Sequence, residues 1–265
     1  MRHGNFYPFA VLTVTMLAMA SCGSTGKTTR SSGDYRLAWE RIPMDSTYDR
    51  IIDSSATNLI DSYDSLLSPL KRIVFYTRSE LRCHPPESTL SDFLVDLLRE
   101  SAAEKVGHGV DMSLLNFGGI RTDMPKGAVR VYDIYSILPF NNMVIVAKIK
   151  GSDLRRMISD IVSIGIQPMG GVRISVEGKK VGSVIIGGKP IDDGKDYYVA
   201  TVDFLMDGGD GIFVKDYAES VENTGVYMRD LLIGYFDAGK MKEVDPVKDG
   251  RVVLAGMDEK KEDQR

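Results

Sequence analysis

Residues 143–149 read MVIVAKI, and this nearly continuous apolar stretch predicts a buried strand at the centre of the fold. A strand with apolar side chains on both faces is typical of a sheet that is covered on both sides. Outward from it, apolar residues recur at helical spacing over 151–162 and 89–102, and residues 171–176 and 181–186 are predicted to form a hairpin. Helices and strands interleave, so the sequence predicts an α/β (α+β) layered domain with mixed β-sheets and packed helices.

The remaining elements are less regular. Thr89, followed by Asp92, resembles a capping box at the start of the helix over 89–102. The segment 131–138 is predicted to be helical or mixed. Further helices are predicted over 45–69 and 226–236, and further strands over 72–76, 113–116, 197–204 and 250–254.

Two double glycines follow the ends of predicted strands. The first lies in LNFGGIR, residues 115–121, and the second in DFLMDGGDGIF, residues 203–213. Glycine weakens strands and helices, so such pairs indicate a backbone that bends sharply or that something approaches closely. Ligand sites of layered α/β proteins lie preferentially at strand ends, and these two loops are therefore the candidate binding site.

The side chains around the glycines suit a nucleotide-like ligand. Arg121 supplies a planar cation for phosphate or carboxylate, Asp210 supplies acceptors for sugar hydroxyls, and Asn116 can face the edge of a base. Phe140 and Phe204 could stack on a flat heterocycle. The residues alone leave an alternative open, in which the glycines form plain turns, Arg121 makes a surface ion pair and both phenyl rings belong to the core.

A family resemblance favours the first interpretation. NFGGIR, YDIYSILPFNN and VDFLMDGGDGIF, in this order, resemble the C-terminal domain of the 5'-nucleotidase family, which includes UDP-sugar hydrolases and 2',3'-cyclic phosphodiesterases. The resemblance extends over about residues 40–255. It implies that Phe140 and Phe204 stack on the base, that Asp210 holds the ribose hydroxyls, that Asn116 touches the base and that Arg121 holds the ribose or phosphate end.

Gly118 and Gly119 complete the substrate-binding set that the resemblance implies. Two positions depart from the family pattern. Phe117 replaces a glycine, which would narrow or reshape its loop. His84 stands where a substrate-binding arginine is usual, and Arg82 is displaced from that position by two residues.

The catalytic half of that family is not recognisable in the sequence. Its members hydrolyse phosphoesters in a metallophosphoesterase domain with two metal ions held by Asp, His and Asn residues. This chain has three histidines, His3, His84 and His108, and contains neither an Asp-x-His nor an Asn-His pair. We therefore expect no catalytic residue and no metal in this chain, and two divalent metals in a partner metallophosphoesterase subunit.

The N-terminal residues resemble a bacterial lipoprotein signal. Arg2 precedes an apolar stretch over 6–20, which is too short to span a bilayer comfortably, and Cys22 follows small residues as in a lipobox. The predicted organisation is a signal peptide over 1–21, a lipidated Cys22 and flexible tether over 22–39, a domain over 40–255 and a charged tail over 256–265. The alternative is an ordinary secretory signal with an incidental cysteine.

The charge of the chain argues against one class of binding partner. The net charge is −4 and no run of basic residues is present, which argues against nucleic-acid polymers. We expect a lipid-anchored protein of the bacterial cell envelope, on the periplasmic side or in the outer-membrane leaflet, with membrane contact through the anchor only. Three roles stay open: the nucleotide-binding half of a split phosphoester hydrolase, a lipoprotein that captures nucleotides or nucleosides for uptake, and a decayed domain with a structural role.

Overall fold

The computed structural model describes residues 54–255, so the predicted signal peptide, lipid-bearing cysteine, tether and charged tail lie outside the described residues. Residues 60–255 belong to one compact unit. The helices are α1 Ser54–Ser62, α2 Asp64–Leu67, α3 Thr89–Val106, α4 Val131–Ile137, α5 Gly151–Ile164, α6 Asp203–Met206 and α7 Met228–Asp237. The strands are β1 Ile73–Thr77, β2 Met112–Leu114, β3 Gly127–Arg130, β4 Met143–Lys150, β5 Met169–Gly170, β6 Val172–Glu177, β7 Lys180–Ile186, β8 Lys189–Pro190, β9 Asp196–Val202, β10 Ala218–Tyr227, β11 Glu243–Val244 and β12 Val252–Leu254.

The largest sheet contains the apolar strand from which the fold was predicted. Its strand order is β10-β4-β9-β2-β5. β4 and β9 pair antiparallel from Val144 opposite Val202 to Lys150 opposite Asp196, and β2 runs parallel to β9 on the other side. All residues of β4 except Met143, Lys148 and Lys150 are buried, as the apolar run predicts.

Two smaller sheets complete the domain. One has the order β11-β1-β3 and the other β12-β6-β7-β8. The predicted hairpin is confirmed as β6 and β7, which turn at Gly178, whose φ of 61° favours glycine. Each of the three sheets contains both parallel and antiparallel pairs, so the predicted class of a layered α/β fold with mixed sheets is confirmed.

Helix α3 packs one apolar face against β2 and β5. Leu90, Leu94 and Leu98 on that face are fully buried. The helix is capped by Ser88, whose backbone N–H donates to Oγ of Ser91 at 3.0 Å. The predicted capping pair is therefore wrong by one residue, and Asp92 is instead buried inside the protein.

Two other predicted boundaries are wrong, and one strand was not predicted. The helix predicted over 45–69 breaks within the described residues at Tyr63, and Pro69 lies in a 3₁₀ turn over Ser68–Lys71. The strand predicted over 197–204 ends at Val202, because Asp203 begins α6 and its Oδ1 accepts the N–H of Phe204 at 2.8 Å. β10 was not predicted, since it is an edge strand whose side chains are mostly polar and exposed.

Within residues 54–255, each helix is too short or too polar to cross a membrane.

Candidate functional site

The two glycine loops meet through one hydrogen bond. Nδ2 of Asn116 donates to Oδ2 of Asp210 at 2.7 Å, although 94 positions separate the two residues in the chain. Asn116 lies two residues after the end of β2 and is 3% exposed. Asp210 is exposed and has a positive φ of 52°. Aspartate tolerates that conformation better than most residues, so the loop can present its carboxylate to Asn116. The two glycine loops are therefore in direct contact in the folded protein.

Close approach explains why glycine occupies these positions. A Cβ atom on Gly119 would lie 2.7 Å from Oδ1 of Asn116, and one on Gly118 would lie 3.1 Å from Oδ2 of Asp210. A Cβ atom on Gly209 would lie 2.3 Å from the ring of Phe204. Side chains at these positions would displace the groups that form the site.

The two phenyl rings follow or precede neighbouring strand ends of the largest sheet. β4 begins three residues after Phe140 and β9 ends two residues before Phe204, and the two strands are antiparallel neighbours. Oδ1 of Asp203 accepts the backbone N–H groups of Met143 at 3.1 Å and Phe204 at 2.8 Å, which ties the two strand ends together. Phe140 is 48% exposed and Phe204 is 44% exposed. Both rings are thus available to a ligand at the same sheet edge.

A shallow, open cleft with a cavity volume of about 10 Å³ lies beside Phe140 and the first glycine loop, so a ligand would lie on its surface and not inside it. Its walls are mostly apolar, with two asparagine amides among them, and Phe204 lies outside its lining. The lining residues are Leu115, Asn116, Gly119, Ile120, Leu138, Phe140, Asn142, Val202 and Met228. Asn142 and Met228 were not predicted as site residues; the asparagine pair after Leu-Pro-Phe was the available signal for the first.

The guanidinium of Arg121 lies at the surface of the same loop. Its side chain is exposed, and Nη1 donates to the carbonyl of Gly118 at 3.2 Å. Its backbone N–H donates to the carbonyl of Ile137 at 2.9 Å, which ties the loop to the end of α4. The guanidinium is therefore held near the glycines with most of its donors open to solvent.

Two backbone hydrogen bonds hold the loop that carries Phe117. Its backbone N–H donates to Oε1 of Gln167 at 3.0 Å, and Leu115 donates to the carbonyl of Pro168 at 3.0 Å. The loop is thus held from the segment between α5 and β5. Phe117 is half-buried and is not among the residues that line the cleft.

The two histidines among the described residues do not form a metal site. His84 precedes α3 and is exposed, with Nδ1 near the carbonyl of Pro85 at 3.2 Å. His108 follows the same helix and contacts Glu222 at 3.0 Å through Nε2, and the neighbouring backbone carbonyl and this carboxylate raise its pKa. A helix of 18 residues is about 27 Å long, so the two rings are too far apart to share an ion.

One carboxylate cluster among residues 54–255 has the spacing of metal ligands. Glu87, Asp92 and Asp249 place oxygen atoms within 4.8 Å of one another. Arg251 already supplies a cation to this cluster: it donates to Asp249 at 3.0 Å and to Asp96 at 2.8 Å, and its Nε lies 3.6 Å from Oδ2 of Asp92. The cluster therefore ties the C-terminal strand to α3, and it lies outside the cleft.

Comparisons with known proteins identify the family to which the domain is similar. A family model described as "5'-nucleotidase, C-terminal domain" matches residues 70–216. Protein UshA of Yersinia enterocolitica is 30% identical over 141 residues, which are 51% of this chain and 26% of that protein. The NAD 5'-nucleotidase of Haemophilus influenzae is 34% identical over 122 residues, 38% of this chain and 20% of that protein. The chain thus spans about a quarter of the length of these curated relatives.

A solved structure shares the fold over most of the chain. The 5'-nucleotidase precursor from Thermus thermophilus superposes with a TM-score of 0.68 at 22% identity, over 77% of this chain and 43% of that one. At this level of identity the likeness is evidence for the fold only.

Proposed function

This chain belongs to the 5'-nucleotidase C-terminal domain family, and from that premise we propose that it is the nucleotide-binding half of a 5'-nucleotidase-type phosphoester hydrolase. The hydrogen bond between Asn116 and Asp210 carries the proposal, because it joins the two glycine loops at the edge where both exposed phenyl rings lie. The protein acts in nucleotide catabolism together with a separate metallophosphoesterase chain.

The base binds against the phenyl rings of Phe140 and Phe204. Exposed rings offer their π-faces to a heterocycle without a rearrangement of the core, and stacking is tolerant of base identity. Asn116 lines the cleft and uses its Nδ2 for Asp210, so Oδ1 is the atom that accepts from the base. Asn142 adds a second amide to the same wall.

The sugar and phosphate bind at the loop surfaces. Asp210 engages Asn116 through Oδ2, which leaves Oδ1 of this exposed carboxylate to accept a ribose hydroxyl. Arg121 presents a planar guanidinium to the ribose or phosphate end. Gly118 and Gly119 allow Asn116 and Asp210 to take these positions, since a Cβ atom on either glycine would meet their side chains.

Hydrolysis relies on two divalent metal ions that the partner chain holds. Two-metal hydrolysis needs several ligands and an activated water. Within residues 54–255, the two histidines and the carboxylate cluster that contacts Arg251 do not supply such a site. The role of this chain is to bind and orient the nucleotide so that its phosphate reaches those metals.

The protein acts at the bacterial cell envelope. The apolar stretch over 6–20 and the small residues before Cys22 support a lipid anchor on that cysteine, with the tether over 22–39 between the anchor and the domain. An envelope location would place the domain where extracellular or periplasmic nucleotides are degraded.

The test is hydrolysis by the native complex. The tagged protein is purified gently from its own cells with its bound chains, and phosphate release from AMP, GMP and UMP is measured with Mg²⁺ or Mn²⁺. We expect phosphate release that EDTA abolishes and that the Phe140→Ala variant reduces, because the metals act on a nucleotide that this chain holds.

Two outcomes would overturn this function. If the complex with all of its bound chains releases no phosphate from any of the three nucleotides, the split-enzyme proposal is wrong. Tight nucleoside binding by the protein alone, together with no hydrolysis by any complex, would instead support the capture of nucleosides.

A further inference from the structure

A buried arginine lies directly beneath the loop that carries Phe140. Arg229, at the start of α7, is 8% exposed. Its Nη1 donates to the carbonyls of Pro139 and Phe140, each at 3.0 Å, and lies 3.4 Å from the carbonyl of Leu138. Its Nη2 donates to Oδ1 of Asn141. One guanidinium therefore contacts four consecutive residues.

Neighbouring contacts fix the guanidinium itself. Its central carbon lies 4.5 Å from the centre of the Tyr135 ring, in a cation–π arrangement. The backbone N–H of Met228, the preceding residue, donates to the carbonyl of Asn142 at 2.9 Å, so the first turn of α7 holds the same loop twice. The planar head cannot shift far without breaking several of these contacts.

This arrangement needs arginine. The loop presents three carbonyls and an amide oxygen to one point, which calls for several donors on a planar group. A lysine ammonium has three donors but is a compact group without the planar fork, and it stacks less well on Tyr135. Buried carbonyls left without donors would destabilise the loop conformation.

We propose that Arg229 is a positioning residue for nucleotide binding, which holds the Phe140 ring in the orientation that stacks on the base. The inference rests on the proposed function, because it assigns a use to the ring that Arg229 orients. Arg229 acts through the loop backbone and does not touch the ligand itself.

The experiment compares Arg229→Lys with Arg251→Lys. Arg251 is a matched control, since it is 7% exposed, makes a similar number of hydrogen bonds and lies in the carboxylate cluster away from the cleft. Adenosine affinity is measured by calorimetry on the purified full chain. We expect Arg229→Lys to weaken adenosine binding about tenfold, a loss that lies within the contribution of one stacked base. The control variant Arg251→Lys should leave the affinity for adenosine within about twofold of the parent value.

A double-mutant cycle separates positioning from a general loss of structure. In the Phe140→Ala background, Arg229→Lys is expected to change the affinity by less than about twofold, because the ring that it orients is absent. A full loss of about tenfold in that background would show that Arg229 acts independently of Phe140 and would overturn the proposal.

A ligand-free measurement keeps this inference distinct from the proposed function. With 4-fluorophenylalanine at position 140, ¹⁹F NMR is expected to show one resonance in the parent protein, a shifted or split resonance in Arg229→Lys and no change in Arg251→Lys. An unchanged resonance in Arg229→Lys would overturn the positioning role. Absence of adenosine binding by the parent protein, with the resonance altered as expected, would overturn the proposed function and its nucleotide role while the ring contact stood.

Discussion

Replacement of both Phe140 and Phe204 by alanine is expected to weaken nucleoside binding at least about 30-fold, because each base-on-ring stack contributes about 1–3 kcal/mol. The two rings are about half exposed, so their removal leaves the core intact. Calorimetric titration of the purified protein with adenosine, guanosine and uridine measures the loss, and each single variant should show part of it.

Exposed aromatic residues elsewhere provide the control for this prediction. Tyr76 on β1 and Tyr132 on α4 are 47% and 50% exposed, close to the values for the two phenylalanines. The double variant Tyr76→Ala/Tyr132→Ala should bind nucleosides with unchanged affinity. If the double phenylalanine variant also retains its affinity, the rings have no part in binding and the proposed base site is wrong.

The Asp92→Asn variant is expected to be more stable than the parent protein above pH 7. The pKa of Asp92 is raised from 3.8 to about 7, because burial raises it more than Arg251 lowers it and the adjacent Glu87 adds to the rise. Oδ2 of Asp92 has no hydrogen-bond partner within the described residues, and it lies 3.6 Å from Nε of Arg251.

The direction in which stability changes with pH follows from where the proton binds more tightly. The folded protein holds this proton more tightly than the unfolded chain, so the contribution of Asp92 to the free energy of unfolding is present below pH 3.8 and is lost as the pH rises to about 7. Asparagine mimics the protonated acid and does not titrate. We expect the variant to match the parent protein near pH 4 and to gain roughly 2–4 kcal/mol at about pH 8, measured by urea unfolding across that range.

Asp96→Asn is the matched control for the pH series. Asp96 binds Arg251 through both carboxylate oxygens, at 3.0 and 2.8 Å, and its side chain is partly exposed. Its replacement should destabilise the protein, because the buried guanidinium of Arg251 loses its hydrogen bonds to both carboxylate oxygens. If Asp92→Asn is likewise less stable than the parent protein at pH 8, Asp92 is ionised in the fold and its assigned protonation is wrong.

Much of the fold was predictable because its central elements are strongly patterned. The apolar run of β4, the helical spacing in α3 and α5, and the alternation in the β6–β7 hairpin each predicted an element that the structure contains. β10 could not be predicted, since an edge strand with one exposed face carries little apolar signal. Asp203 also misled the prediction, because it ends β9 by beginning a helical turn within an otherwise strand-like sequence.

The candidate site was predictable as a set of residues but not as an arrangement. The glycines, Asn116 and Asp210 are recognisable in the sequence, yet only tertiary structure brings Nδ2 of Asn116 to the carboxylate of Asp210. The alternative that both phenyl rings belong to the core is wrong, since both are exposed. Arg229 gave no signal, because a single arginine in an apolar helix does not indicate which backbone carbonyls it will bind.

The most direct test of the central claim is an NMR titration of the ¹⁵N-labelled protein with adenosine. The account predicts shift changes confined to the backbone amides of residues 115–121, 138–143, 203–213 and 228–229, with none around Arg251 and Asp92. Saturating adenosine that leaves those four segments unchanged, or that perturbs a different surface, would contradict the claim that the paired glycine loops form a nucleotide site.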